Sequence, residues 1–111
     1  MIFNAGDSRI LVLGVAYKAG TSDMRESPAL KIIELLQVRG GAVSYQDPYV
    51  PELPEHNLRS GQLPEATEGI DLAVIVTAHP NIDWDVLDAV PSVVDLRGVT
   101  RRARRANVQQ L

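Results

Sequence analysis

Apolar residues fall into a few short runs along this chain, and the spacing within each run separates strand from helix. Residues 10–17, Ile-Leu-Val-Leu-Gly-Val-Ala-Tyr, are apolar at nearly every position, which predicts a strand covered on both faces in the middle of a sheet. Beyond it, Ala29, Ile32, Ile33 and Leu36 recur at the three-and-four spacing of a helix with one buried stripe. Ser27 and Pro28 open that helix, because a serine oxygen accepts a bond from an unpaired amide at the N-cap and proline loses nothing at the first helical position. Gly40-Gly41 stops it. Residues 42–46 predict a short second strand closed by Asp47-Pro48, and the proline-rich stretch 49–63 reads as a long surface connection. A brief helix is expected at 64–68. Residues 72–77, Leu-Ala-Val-Ile-Val-Thr, predict a further buried strand. Residues 83–89 predict a short helix pinned to the sheet by Trp84 and Leu87, and residues 93–96, Val-Val-Asp-Leu, a fourth strand.

Strands alternating with helices imply crossover connections and therefore parallel pairing. The expected architecture is α/β, a Rossmann-like open parallel sheet with helices on both faces in a three-layer sandwich. Composition agrees: 111 residues, 45% hydrophobic and 5% aromatic, suit one globular domain with a single core. Charge is mildly acidic, with 14 carboxylates against 11 Lys and Arg, so the surface as a whole is no polyanion binder. The absence of cysteine removes disulfides, thiolate metal sites and a cysteine nucleophile from this chain. No apolar run reaches the length of a membrane span, and the first residues lack the order of a signal peptide. A cytoplasmic location is expected, with no membrane partner and with residues 1–8 acting as a leader or linker.

The densest chemistry lies between the first strand and the first helix. Within nine residues stand Lys18, Thr21, Ser22, Asp23, Arg25 and Glu26. In open α/β folds ligands gather at the carboxyl ends of the strands, and a helix N-terminus there favours an anion. A phosphate could meet the helix start, the Lys18 ammonium and the planar Arg25 fork together. Neither familiar nucleotide signature is present. After Gly14 the next glycine is Gly20, which breaks the dinucleotide fingerprint and is one residue too far for a P-loop. Read from the residues alone, the competing possibility is that Asp23, Glu26 and Ser27 only cap the helix while Lys18 and Arg25 pair with them at the surface.

The stretch "LGVAYKAGTSDMRESPALKIIELLQVRGGAVSYQDPYVP" resembles the start of the C-terminal domain of the UDP-glucose/GDP-mannose dehydrogenase family, the nucleotide-sugar 6-dehydrogenases. The resemblance is carried by Gly14, Ala16, Tyr17, Lys18, Thr21, Asp23, Arg25, Glu26, Ser27, Asp47 and Pro48, and "DLAVIVTAHPNIDW" and "VVDLRG" follow in the family's order. It implies a longer enzyme that oxidises the C6 alcohol of a UDP-sugar to a carboxylate in two NAD-dependent steps, through a thiohemiacetal on a cysteine. Residues 9–111 would then be its nucleotide-sugar (UDP) binding domain. NAD would be bound mostly by an N-terminal domain, and a central helical domain would build a homodimer. Polysaccharide biosynthesis is the implied setting. This chain alone would bind without catalysing, since the nucleophile belongs upstream. The other class of function left open is a free-standing, non-catalytic nucleotide-binding or interaction module.

Carried over by position, the resemblance implies that Tyr17, Lys18 and Arg97 face the nucleotide-sugar and that Arg25 reaches toward the NAD pyrophosphate. Thr21, Asp23, Glu26 and Ser27 would shape the loop. No catalytic residue is expected here. His79 before Pro80 reads as a loop residue, and Asp47 as a turn former with Pro48. His56 has no partner at metal spacing, so no metal site is expected. The basic run of Arg101, Arg102, Arg104 and Arg105 lacks interleaved aromatics and reads as a solvated helical tail, not a nucleic-acid contact.

Overall fold

The first strand, β1, spans Arg9–Leu13, and its side chains alternate between two apolar layers. Ile10 and Val12 join one buried cluster, while Leu11 and Leu13 join another on the opposite face. Two-sided burial is what a continuously apolar run requires. The computed structural model describes residues 8–25, 27–100 and 107–110. The helix α1, Pro28–Val38, follows and buries Ala29 and Ile33. Then come β2 (Ala42–Gln46), a small hairpin of β3 (Glu52–Leu53) and β4 (Leu58–Arg59), β5 (Leu72–Ile75), β6 (Ser92–Asp95) and β7 (Val108–Gln110).

The main sheet has five strands in the order β2-β1-β5-β6-β7. Every pair in it is parallel, with Leu13 opposite both Gln46 and Ile75. One face is covered by α1 and the hairpin, through Ile33, Val50 and Leu53. The other is covered by two short 3₁₀ helices, Glu65–Thr67 and Trp84–Ala89, with Leu87, Val90 and Val93 at the centre of the packing. The sandwich is thus α-helical on one side only. Tyr45 of β2 is fully buried, and its hydroxyl donates to the Val50 carbonyl at 2.8 Å. Burial, helped by the charges of Asp47 and Glu52, pushes its phenol up to about 12.

Several sequence expectations are corrected. The first strand ends at Leu13 and not at residue 17, because Gly14 turns with φ of 82°. Val15 and Ala16 remain buried, but their N–H groups bond the Asp47 side chain in place of a neighbouring strand. β5 and β6 likewise stop at Ile75 and Asp95, short of the predicted ends. The two brief helices are 3₁₀, and the connection at 49–63 contains the β3–β4 hairpin. β7 was not anticipated. The leader residues 1–7, Glu26 and the basic run at 101–106 lie outside the described residues. Among the described residues no helix is long and apolar enough to cross a membrane.

Candidate functional site

Four neighbouring strands end along one edge of the sheet, and the loops leaving them share a system of buried bonds. Gly14 passes so close to the end of β5 that an added Cβ would stand 2.6 Å from the Thr77 Cβ. Thr77, itself buried, donates from its hydroxyl to the Ala16 carbonyl at 2.7 Å. Just past β2, the wholly buried Asp47 accepts the Val15 and Ala16 N–H groups on Oδ2, at 2.8 and 3.1 Å, and the Tyr49 N–H on Oδ1 at 2.8 Å. The chain then closes on itself through a 2.6 Å bond from the Tyr17 N–H to the Asp23 carbonyl. Ser27 ends the loop in two ways. Its hydroxyl donates to the Val15 carbonyl at 2.6 Å and accepts the Ala29 N–H at 3.2 Å, so the cap of α1 is tied back to the strand exit.

A second buried carboxylate organises the loop after β6. Asp95 accepts the Arg97 and Gly98 N–H groups on Oδ1, at 2.9 and 2.7 Å, and the Thr100 N–H and hydroxyl on Oδ2, at 2.9 and 2.6 Å. Burial alone would raise its pKa. The Thr100 hydroxyl and the N–H groups of Thr100, Arg97 and Gly98 outweigh that and hold the carboxyl below its ordinary value.

Between these two loops lies a cleft of about 390 Å³, lined by Tyr17, Lys18, Pro28, Val76, Thr77 and Arg97. Val76 and Thr77, just past β5, lie between the two cations in strand order, and Pro28 brings the start of α1 to the rim. The lining contains two cations and no carboxylate, with exposed Tyr17 beside them. Such a cleft suits an anion flanked by a flat or apolar group. A larger cavity of about 650 Å³ opens near Gln46, Gln62, Asn81 and Asp83, but no cation lines it.

Arg25 does not line the cleft. It pairs with Asp23 through Nε and Nη2, at 3.1 and 2.9 Å, with 89% of its side chain exposed. Hydrogen bonds from the Arg25 side chain and backbone hold the Asp23 carboxyl down at about 2. Thr21 accepts the Asp23 N–H at 3.3 Å and donates to the Lys18 carbonyl at 3.4 Å. Thr21, Asp23 and Ser27 are therefore bonded within the loop, while Glu26 is not among the described residues.

Three polar residues at this edge have roles that sequence reasoning missed. Asp47 does form the expected turn through the Tyr49 N–H, yet its second oxygen serves the loop after β1. His79 does lie in a loop, but a buried one. It is 4% exposed, its Nε2 lies 2.8 Å from Asp47 Oδ2, and its Nδ1 accepts the Gly20 N–H at 2.9 Å. Its partners stand 32 and 59 positions away, so nothing in the local pattern announces them. Asp95 had a fainter signal, an aspartate followed three positions later by glycine at a strand end.

Known proteins resemble this chain in sequence and fold. The sequence profile of the UDP-glucose/GDP-mannose dehydrogenase family, UDP binding domain, matches residues 11–102. A UDP-glucose 6-dehydrogenase of Rickettsia typhi is 36% identical over 102 residues, covering 81% of this chain and 24% of its own. The UDP-N-acetyl-D-mannosamine dehydrogenase of Pyrococcus horikoshii is 40% identical over 79 residues, 68% of this chain and 18% of the relative. A solved structure of the UDP-D-ManNAc dehydrogenase from the same organism superposes with a TM-score of 0.66 at 33% identity, over 83% of this chain and 22% of that one. The chain thus spans 18% and 24% of the length of these two curated relatives. With the fold, the order of the motifs and nearly the whole described length in agreement, this chain belongs to the UDP-glucose/GDP-mannose dehydrogenase family and corresponds to its UDP binding domain.

Proposed function

We propose that the cleft between Lys18 and Arg97 binds the diphosphate of a UDP-sugar, and that the chain is the substrate-nucleotide domain of an NAD-dependent 6-dehydrogenase. One observation carries this reading: cations from loops after two different strands, Lys18 after β1 and Arg97 after β6, line a single concavity. Lys18 acts as a mobile point charge, while the Arg97 fork presents paired donors to phosphate oxygens. Tyr17 offers a ring face for the base or sugar.

Catalysis belongs to the whole enzyme. NAD, held mainly by a domain upstream, accepts the hydride, and the nucleophilic cysteine lies upstream too, so this chain alone is inactive. Arg25 is the residue here that suits the cofactor's pyrophosphate: it points into solvent, and the Asp23 pair uses only one edge of its fork. A cytoplasmic setting, a homodimer built by a central helical part and a place in polysaccharide biosynthesis complete the reading.

Titration calorimetry with UDP, UDP-glucose and GDP-mannose tests it. The uridine ligands are expected to bind, and Lys18→Ala and Arg97→Ala are each expected to weaken them about tenfold while leaving the thermal transition unchanged. Undiminished affinity in both variants removes the site from this cleft.

A further inference from the structure

His79 occupies a position that the cleft chemistry does not itself use. Its side chain is only 2% exposed, and its ring centroid lies 4.6 Å from that of Tyr49. The Gly20 N–H can only donate, so the Nδ1 that receives it at 2.9 Å must carry a lone pair. The ring proton therefore sits on Nε2, which donates to Asp47 Oδ2 at 2.8 Å. That same carboxylate oxygen accepts the Val15 and Ala16 N–H groups. The segment from Val15 to Gly20 is thus fastened to one buried unit at both ends, by Asp47 at Val15 and Ala16 and by His79 at Gly20. Tyr17 and Lys18, which line the cleft, lie between the two fastenings.

We propose that His79 is a positioning residue for the anion cleft: its bare Nδ1 accepts the Gly20 N–H and so holds the segment that carries Lys18, while the bond from Nε2 to Asp47 fixes which nitrogen carries the proton. The inference rests on the nucleotide-binding role assigned above to that cleft. His79 does not reach the cleft lining itself, so its effect on binding passes through the loop. A loop already held in its bound shape surrenders less freedom when the ligand arrives, and affinity rises accordingly.

Two substitutions divide the two bonds. In His79→Asn the side-chain oxygen takes the place of Nδ1 and can accept the Gly20 N–H, but the reach to Asp47 is lost. In His79→Gln the amide nitrogen takes the place of Nε2 and can donate to Asp47, but Gly20 is released. Calorimetry with UDP on the full chain is expected to give His79→Asn within about threefold of the parent and His79→Gln about tenfold weaker. A role confined to general stability predicts the reverse order, with the variant that keeps the buried bond to Asp47 binding better, and that order overturns the proposal. Two measurements on the parent need no nucleotide. Hydrogen exchange is expected to find the Gly20 amide protected, and nitrogen NMR to find His79 Nδ1 unprotonated. An unprotected Gly20 amide or a protonated Nδ1 also overturns the inference. If the parent fails to bind UDP while Gly20 is protected and Nδ1 bare, the nucleotide assignment falls and the tie between His79 and the loop stands.

Discussion

Asp47 and Asp95 do similar work on opposite sides of the cleft, each gathering the backbone N–H groups of a loop that carries a cation. Neither needs to touch a ligand to matter for binding. Asp95 is the simpler to test, because its bonds fall within one short turn. Asn at that position supplies one acceptor where the carboxylate supplies two, and turns an amide group toward N–H donors. Asp95→Asn should therefore cost about 2–3 kcal/mol at neutral pH by urea denaturation, from buried donors left unpaired. The pH dependence has a definite sign. A carboxyl held below its ordinary 3.8 in the folded state adds stability that is fully present above that value and is lost as pH falls through the lower folded value. Below about pH 4 the parent should lose stability more steeply than Asp95→Asn. Asp23→Asn serves as the contrast: its pair with Arg25 is exposed, so its loss should hardly move the urea midpoint. Lys18 was legible from the residues because it directly follows an apolar run, whereas Tyr17 and Arg97 were named only through the family resemblance. The Asp47–His79 pair was not, because its meaning lies in contacts across the sheet.

Among the elements, the centres of strands and the helix α1 followed from hydrophobic spacing, while their ends did not. The reason is visible at Val15, Ala16 and Val76, which stay buried after regular pairing stops because loops, and not solvent, surround them. Apolar character tracks burial, and burial outlasts the ladder here. Gly14 marks the true end of β1. It combines φ of 82° with an approach to Thr77 that leaves no room for a Cβ. Gly20 has a similar φ of 78°, but an added Cβ there would meet nothing within 4 Å. The two glycines therefore separate backbone strain from steric clash. Gly20→Ala should cost about 1–2 kcal/mol, the penalty of a left-handed alanine alone. Gly14→Ala adds overpacking against backbone and should cost roughly 3 kcal/mol or more in urea denaturation. Equal losses at the two positions would mean that the strand ends have room to part.

At the scale of the molecule, the cleft depends on β1, β5 and β6 keeping their places, and the outer side of β6 is covered by β7. That last strand escaped sequence reading because it is three residues long with one apolar side chain, Val108, and follows a basic run that itself suggests a tail. What holds it is partly polar. The Asn107 amide donates to the carbonyls of Leu87 and Val90 at 3.0 and 2.7 Å, and the Asn107 carbonyl accepts the Val93 N–H at 2.8 Å. Asn107 thereby closes the end of the Trp84–Ala89 helix and opens the pairing with β6 in a single residue. Asn107→Ala should cost about 1–3 kcal/mol, chiefly because the Val90 carbonyl loses the Asn107 donor, while the Leu87 carbonyl keeps the Val90 N–H. Ending the chain after residue 106 should cost more, because it also uncovers Val93 and removes Val108 from the core. Since β6 ends in Asp95 and leads to Arg97, the truncated chain should lose UDP affinity as well as stability, whereas Asn107→Ala should lose mainly stability. Thermal unfolding and calorimetry on both chains would measure the two effects separately. A truncated chain as stable as its parent would show that β6 holds its register, and Arg97 its place, from the β5 side alone.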